Sequence, residues 1–408
     1  MDLHHCRCAG LDVHKDTVVA CVRIEESGAV QTEVQTFQTT TQGLLKLLDW
    51  LLRSECTHAA MESTGVYWKP VWYILEGAVE LILANAQQIR NMPGRKTDVQ
   101  DAQWIAELLA HGLIKASFVP PQPIQELRDL TRTRKQLSRE IVQHTQRIQK
   151  ALETANLKIT GLITNILGSS GRAILQAIIA GQSDPNHLAS LVKGSLRGKR
   201  TKLAEALHGR ITPHHRFMLD LHLRQIEALE GSIRRIEARL GQVMRPFRDA
   251  VAHLITIPGI AELSANVILA EIGLDMSRFP TVGHLISWAG LCPRSDESAG
   301  RKRSTKLRKG GTWLKTVLVQ CAWAAIRRKD TYLRAQFLRL KSRRGPKKAI
   351  MAVAASILTA VYYILERQVD YQELGGDYFE RRDKDKICRS LLRRLENLGL
   401  KVTVEPAA

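Results

Sequence analysis

A single carboxylate sets the strongest limit on what this chain can fold into. Residues 8–14 (CAGLDVH) are a short apolar run of the kind that makes a buried strand, yet Asp12 sits inside it. A buried carboxylate left unpaired is costly, so an apolar strand gives Asp12 little structural reason to be there. The runs that follow alternate between strand and helix character. Thr17–Ile24 is rich in β-branched residues, Glu25–Gly28 reads as a turn, and a third strand is expected near Val30–Phe37. Leu44–Leu52 has helical spacing, His58–Met61 reads as a strand ending at Glu62, Val66–Glu76 as a helix and Val79–Ala84 as a strand. In RKTDVQDAQWIAELLAHG, residues 95–112, the apolar Val99, Trp104, Ile105, Leu108 and Leu109 recur at helical spacing, with Gly112 as a stop.

The order is therefore three strands, helix, strand, helix, strand, helix, which is the strand order of the ribonuclease H superfamily. The fold class expected is α/β plus α, with a ribonuclease H-like N-terminal domain, which the family resemblance given below makes RuvC-like. Its acids stand where that fold needs them. Asp12 lies in the first strand, Glu62 ends the fourth, and Asp98 and Asp101 sit on the helix after the fifth. Three residues of helix separate the two aspartates by roughly 60° around the axis, so both carboxylates project from one face. Carboxylates held that close repel unless a cation sits between them, and oxygen donors suit Mg²⁺ or Mn²⁺. Four of them could hold two ions about 3.5–4 Å apart, one activating an attacking oxygen and one stabilising a leaving oxygen of a phosphodiester.

Beyond residue 123 the chain turns long, polar and helical. Leu130, Leu137, Ile141, Ile148 and Leu152 form a coiled-coil-like stripe, and Ile226, Leu229, Ile233, Ile236, Leu240 and Val243 form its counterpart. The two could pair within one chain or between protomers. Residues 160–215 between them read as a Gly-, Ser- and basic-rich insertion with some nucleic-acid contact. LITIPGIAELSANVILAEIG, at 254–273, resembles a helix-hairpin-helix whose Pro-Gly-Ile turn either faces a phosphate or merely packs. The domains expected are 1–123 (catalytic), 124–250 (coiled-coil helices with the insertion), 251–370 (C-terminal, mostly helical) and 371–408 (a mixed-charge tail).

The charge balance says what the partners are. A net charge of +20 implies a polyanion, most simply nucleic acid. In WAGLCPRSDESAGRKRSTKLRKGG, at 288–311, six of nine residues from Arg301 to Lys309 are basic: Arg301, Lys302, Arg303, Lys306, Arg308 and Lys309. This polar loop can bind phosphates while Ser298 offers a hydroxyl. Arg339, Lys341, Arg343, Arg344, Lys347 and Lys348 form a second basic stripe around Gly345-Pro346. Seven scattered cysteines and no secretory segment point to a reducing cytoplasm, with nucleoid association when bound to DNA. Ala349–Leu365 is uncharged and long enough to invite a membrane reading, but its Ala-rich composition suits a core helix.

GLDVHKD at 10–16, MESTGVYW at 61–68 and KTDVQDA at 96–102 resemble the DEDD transposases of the "one-ten" family of bacterial insertion sequences. The resemblance implies DNA recombination for an insertion element, guided in at least some members by a structured RNA. It also implies that Ser298 is a nucleophile, since the family carries a serine in a Pro-x-x-x-x-Ser-x-Gly context matched by Pro293, Ser298 and Gly300. Ala299 departs mildly from a frequent glycine. The separation of acids and serine along the chain suggests a site completed between protomers, in a dimer or tetramer. The alternative is a RuvC-type junction endonuclease, with water as nucleophile and no covalent intermediate.

Overall fold

Alternating small and β-branched residues make the N-terminal part of the chain a sheet. The computed structural model describes residues 4–63, 65–85, 89, 98–293, 296–298, 301–304, 311–382 and 384–402, the side chains of 98–100, 296–298, 301–304 and 386 excepted. The chain divides into two units, Met1–Val119 and Pro120–Ala408.

In the first unit the elements are β1 (Arg7–Val13), β2 (Thr17–Glu26), β3 (Ala29–Gln38), α1 (Thr41–Arg53), β4 (His58–Glu62), α2 (Trp68–Leu75), β5 (Glu80–Ala84) and α3 (Asp98–Ala110). This is the expected order. The sheet runs β3-β2-β1-β4-β5, with β1, β4 and β5 parallel and β2 antiparallel to both neighbours. Successive residues of β1 serve opposite faces. Ala9, Leu11 and Val13 pack with Met61 against Leu44, Leu47 and Leu51 of α1 and Val71 and Leu75 of α2. Each buried Val, Leu or Met side chain among them contributes about 1.5–3 kcal/mol. Thr40 starts α1 by accepting from the Gly43 amide at 3.2 Å. On the other face Cys8, Ala60 and Ala84 pack against Ile105, Leu108 and Leu109 of α3.

Gly10 lets α3 lie directly on β1. A Cβ there would stand 2.1 Å from the Ala102 carbonyl oxygen and 2.4 Å from the Ala106 nitrogen. No larger residue fits without moving the helix. The Cys8 thiol lies 3.5 Å from the Ala106 carbonyl, and the His4 and His5 amides donate to the Ala110 carbonyl. Moving up the strand is thus moving down the helix, so α3 runs antiparallel to β1.

The second unit opens with α4 (Gln122–Thr154), continues through α5 (Ser169–Ile179), α6 (Pro185–Ser190) and α7 (Arg200–Ala206), and returns along α8 (Pro213–Val243). α4 and α8 pair antiparallel within the chain. Arg134 meets Glu237 at 2.7 Å, and ten residues on His144 meets His222, Nδ1 to Nδ1, at 3.2 Å. Of the predicted stripe, Ile148, Leu152, Ile226 and Leu240 are buried, whereas Leu130, Leu137, Ile141, Leu229, Ile233 and Ile236 are half-buried. α8 starts 13 residues before its first stripe residue because Pro213 follows Thr212, whose hydroxyl accepts from the His215 amide while His215 Nδ1 accepts from the Thr212 amide.

Residues 160–215, expected as a Gly-, Ser- and basic-rich insertion, are a helical cap with a core of their own. Ile163, Ile166, Ile174, Leu175, Ile178, Leu188, Leu203 and Leu207 close over Ile148, Leu152, Leu219 and Leu223 at the ends of the long helices.

The remaining elements are α9 (Arg248–Ile255), α10 (Glu262–Ile272), α11 (Val282–Trp288), β6 (Asp296–Ser298), β7 (Arg301–Ser304), α12 (Thr312–Ala325), α13 (Tyr332–Arg344), α14 (Pro346–Arg367), α15 (Tyr378–Arg382) and α16 (Lys384–Asn397). α14 passes the length and apolarity test for a membrane span, but nine of its residues, Ala349 to Ile364, are buried and it packs on α9, α11, α12 and α13. It is the core helix. In the turn between α9 and α10, Ile257 and Ile260 are buried, and a Cβ on Gly259 (φ +89°) would stand 2.3 Å from the Cys321 carbonyl. At Gly259 the turn packs directly on α12. The mixed-charge tail, whose sequence was uninformative, forms α15 and α16; Phe379 stacks on Tyr332 with ring centres 5.2 Å apart, and Tyr378 meets the same ring edge-on at 5.1 Å.

α4 is fastened to α10 by a buried carboxylate. Glu271, only 2% exposed, accepts from Arg132 Nε and Nη2 at 2.8 Å each, while Arg128 donates to the Ala270 and Glu271 carbonyls. Those are C-terminal carbonyls of α10, which a guanidinium caps well.

Candidate active site

The parallel pair β1–β4 is in register from Cys8–His58 to Leu11–Met61. One residue further, Asp12 and Glu62 come side by side, and the pleat turns both toward α3. Asp12 is still paired across β2 with Val19, and Glu62 across β5 with Ala84. Both strands thus have neighbours on each side where the acids stand. The Asp12 side chain is 14% exposed, and its Oδ2 lies 3.0 Å from His14 Nε2. Gly65 follows Glu62 with φ +53°, a left-handed turn that glycine adopts at no steric cost.

α3 brings the other two acids to the same end. Ala102 and Ala106 lie over Gly10, and Asp98 is one helical turn before Ala102. Because α3 is antiparallel to β1, its first turn comes level with the residues after Gly10, where Asp12 stands. Asp101 is one turn before Ile105, which is buried on the sheet. The backbone therefore gathers Asp12, Glu62, Asp98 and Asp101 at the C-terminal end of β1 and β4 and the N-terminal end of α3. Acids are also favourable to a helix N-terminus for electrostatic reasons of their own. The Asp98 side chain lies outside the described residues. Among those described, no three His, Cys, Asp or Glu side chains come together as ligands of one ion. The donor chemistry fits a hard divalent cation: four carboxylates, all oxygen.

Ser298 stands on a strand, where a polar loop was expected. β6 pairs antiparallel with β7 from Asp296–Ser304 to Ser298–Arg301, with an irregularity after Asp296. Arg301, Lys302 and Arg303 are on β7, so the hairpin pairs the serine's strand with a cationic one. Ser295, Gly300, Lys306, Arg308 and Lys309 lie outside the described residues. Arg343 and Arg344 end α13, and Lys347 and Lys348 are in the first turn of α14; all four are exposed, with no carboxylate partner among the described residues. Two lysines at a helix N-terminus oppose its dipole, which an anion would relieve.

Two family models match the chain. One, described as a transposase, spans residues 9–157; the other, described as the transposase of the IS116/IS110/IS902 family, spans residues 251–338. The chain belongs to the IS110 family of transposases. A comparison with curated proteins found no match. The four acids fall in the first matched span and Ser298 in the second. The family's transposases are enzymes that cut and recombine DNA, and its DEDD type is typically dependent on a divalent metal.

Sequence reasoning passed over His14 at Asp12, although both stand in the motif GLDVHKD. It also passed over Trp313, whose only signal was an aromatic beginning a helix after the basic stretch.

Proposed function

We propose that this transposase recombines the DNA of an insertion element by a serine-mediated strand transfer at a carboxylate-held metal centre. In this reading residues 1–123 are a RuvC-like catalytic domain, 124–250 a coiled-coil arm with its insertion, and 251–370 the domain of the nucleophile. Asp12, Glu62, Asp98 and Asp101 would hold Mg²⁺ or Mn²⁺, two ions, through their carboxylate oxygens. When bound, the metal supplies positive charge against the phosphate oxygens and lowers the barrier to attack. The observation that carries this reading is the antiparallel run of α3 on β1, with its acidic first turn level with two adjacent acidic strand ends.

Ser298 performs the covalent step. Its Oγ forms an O–P bond as the bond from phosphorus to the departing strand-end oxygen breaks, and the proton the serine gives up ends on that oxygen as a hydroxyl. Attack by the hydroxyl of another strand end then breaks the Oγ–P bond and returns the serine. Energy of the phosphodiester is kept throughout. Arg301, Lys302, Arg303, Lys306, Arg308, Lys309, Arg343, Arg344, Lys347 and Lys348 hold phosphates of the element ends and target. A structured guide RNA and a second protomer complete the assembly, the carboxylates of one copy meeting the serine of another in a dimer or tetramer.

The test is to trap the reaction on labelled DNA and look for a denaturant-resistant adduct. Ser298→Ala should lose adduct and recombination together, while Ser295→Ala and Ser304→Ala keep both. Normal cutting and rejoining by Ser298→Ala would put water in the serine's place, as in a junction endonuclease.

A further inference from the structure

Three helices of the C-terminal unit enclose a cleft of about 90 Å³ that none of the roles above uses. α4 lines it with Arg132, Lys135 and Arg139, α10 with Leu263 and Val267, and α12 with Trp313. Arg132 and Arg139 are seven residues apart, two turns along one face of α4, and both approach the same indole. Their guanidinium carbons lie 5.6 and 5.1 Å from the centre of the Trp313 ring. The two cations are not equivalent. Arg132 is held by the buried Glu271 through two bonds of 2.8 Å. Arg139 and Lys135 have no carboxylate partner among the described residues. The cleft therefore offers a half-buried indole, a guanidinium fixed by Glu271, a second guanidinium lying on the ring without a carboxylate partner, and the Lys135 ammonium.

That combination matches one chemistry. A base stacks on an indole or a guanidinium plane, while the phosphate beside it takes cations that are not otherwise paired. A base can lie against that indole only when it is unstacked, as in a single strand. We propose that this cleft holds one unpaired nucleotide of a nucleic-acid strand, its base against Trp313 and its phosphate on Lys135 and Arg139. The proposal rests on the reading that the chain acts on nucleic acid, and it adds a subsite separate from the four acids and Ser298. α12 begins eight residues after β7, so a strand gripped here is held by the segment that follows the serine hairpin.

The test uses the full chain with fluorescent single-stranded RNA, single-stranded DNA of the same sequence, and the corresponding DNA duplex, titrated over a range of salt. Single strands should bind, and Trp313→Ala should weaken them roughly ten-fold or more, with Trp313→Phe losing less. Lys135→Gln and Arg139→Gln should each flatten the single-strand salt slope by about 0.7. Quenching of tryptophan fluorescence by the bound strand should fall in Trp313→Phe. Thermal melts of each variant confirm folding, and the exposed Arg139 carries the test should Trp313→Ala melt early. The RNA and DNA arms identify which strand is preferred, and either preference supports the subsite. Equal single-strand affinity and slope in folded Arg139→Gln, Lys135→Gln and Trp313→Phe overturns it, as does binding of duplex alone. The function proposed above fails separately, through loss of the covalent adduct test.

Discussion

The acids and the serine are carried by opposite kinds of structure. Asp12 and Glu62 end strands inside a five-stranded sheet covered on both faces, and α3 is pressed so closely on β1 that only glycine fits between them. Ser298 ends a three-residue strand in a sheet of two. A two-stranded hairpin is marginally stable by itself. In the function proposed above, one part of the chemistry is thus fixed when the chain folds, whereas the other stands on an element whose own pairing is small and whose partner strand is cationic. The contrast fits a centre that waits, preformed, and a nucleophile whose position depends on phosphates.

The largest effect should come from the fixed part. Asp98→Asn should lower metal-dependent strand cleavage roughly a thousand-fold or more, with folding and nucleic-acid binding largely intact. Full cleavage by that variant with Mg²⁺ as the only metal would remove the acid from the site. Next, Gly10→Leu should cost about 3 kcal/mol or more in denaturant unfolding, because its side chain has to displace the α3 backbone. Ser298→Ala should leave that midpoint unchanged; equal shifts from both would erase the difference between the two regions. Smaller again is the effect on binding. Replacing Arg343, Arg344 and Lys347 by Gln should flatten the salt dependence of duplex affinity by up to about 0.9 per residue. An unchanged slope would make these cations merely solvated.

The smallest effect concerns the arm. Burial, and then His144 and Arg147, hold the His222 imidazole below its ordinary value. As pH falls through that ordinary value, about 6.5, the unfolded chain takes up a proton that the folded chain resists. Stability should therefore be full above that pH and decline below it, until the depressed folded value is passed. Denaturation midpoints at neutral and mildly acidic pH should differ less in His222→Gln than in the unaltered chain.

The sheet was legible because its strands obey local rules: β-branched runs broken by Ser27-Gly28, and an apolar strand that tolerates a carboxylate only at its end. The acids were legible from spacing on those elements. The cap was not, because its Ile and Leu residues are dispersed over short helices and a basic stretch obscures them. The start of α8 was missed for a related reason: Thr212 and Pro213 mark it, but the residues just after them are polar and histidine-rich. The clamp at Glu271 and the cleft at Trp313 were not legible either. Their meaning comes from Arg128, Arg132 and Arg139, more than a hundred residues away, and only packing brings these together.

The antiparallel pair of long helices also acts on distance. At 33 residues α4 spans about 50 Å, and the chain leaves it at Thr154 only to return along α8 from Pro213. The cap is therefore borne on a two-helix beam whose base is clamped by Glu271. From Arg132 at that clamp to Thr154 is about 33 Å, so a tilt of about 10° there would move the helix end under the cap by roughly 6 Å, and a small strain near α10 becomes a large displacement at the far end. Reach is built into the length of two helices.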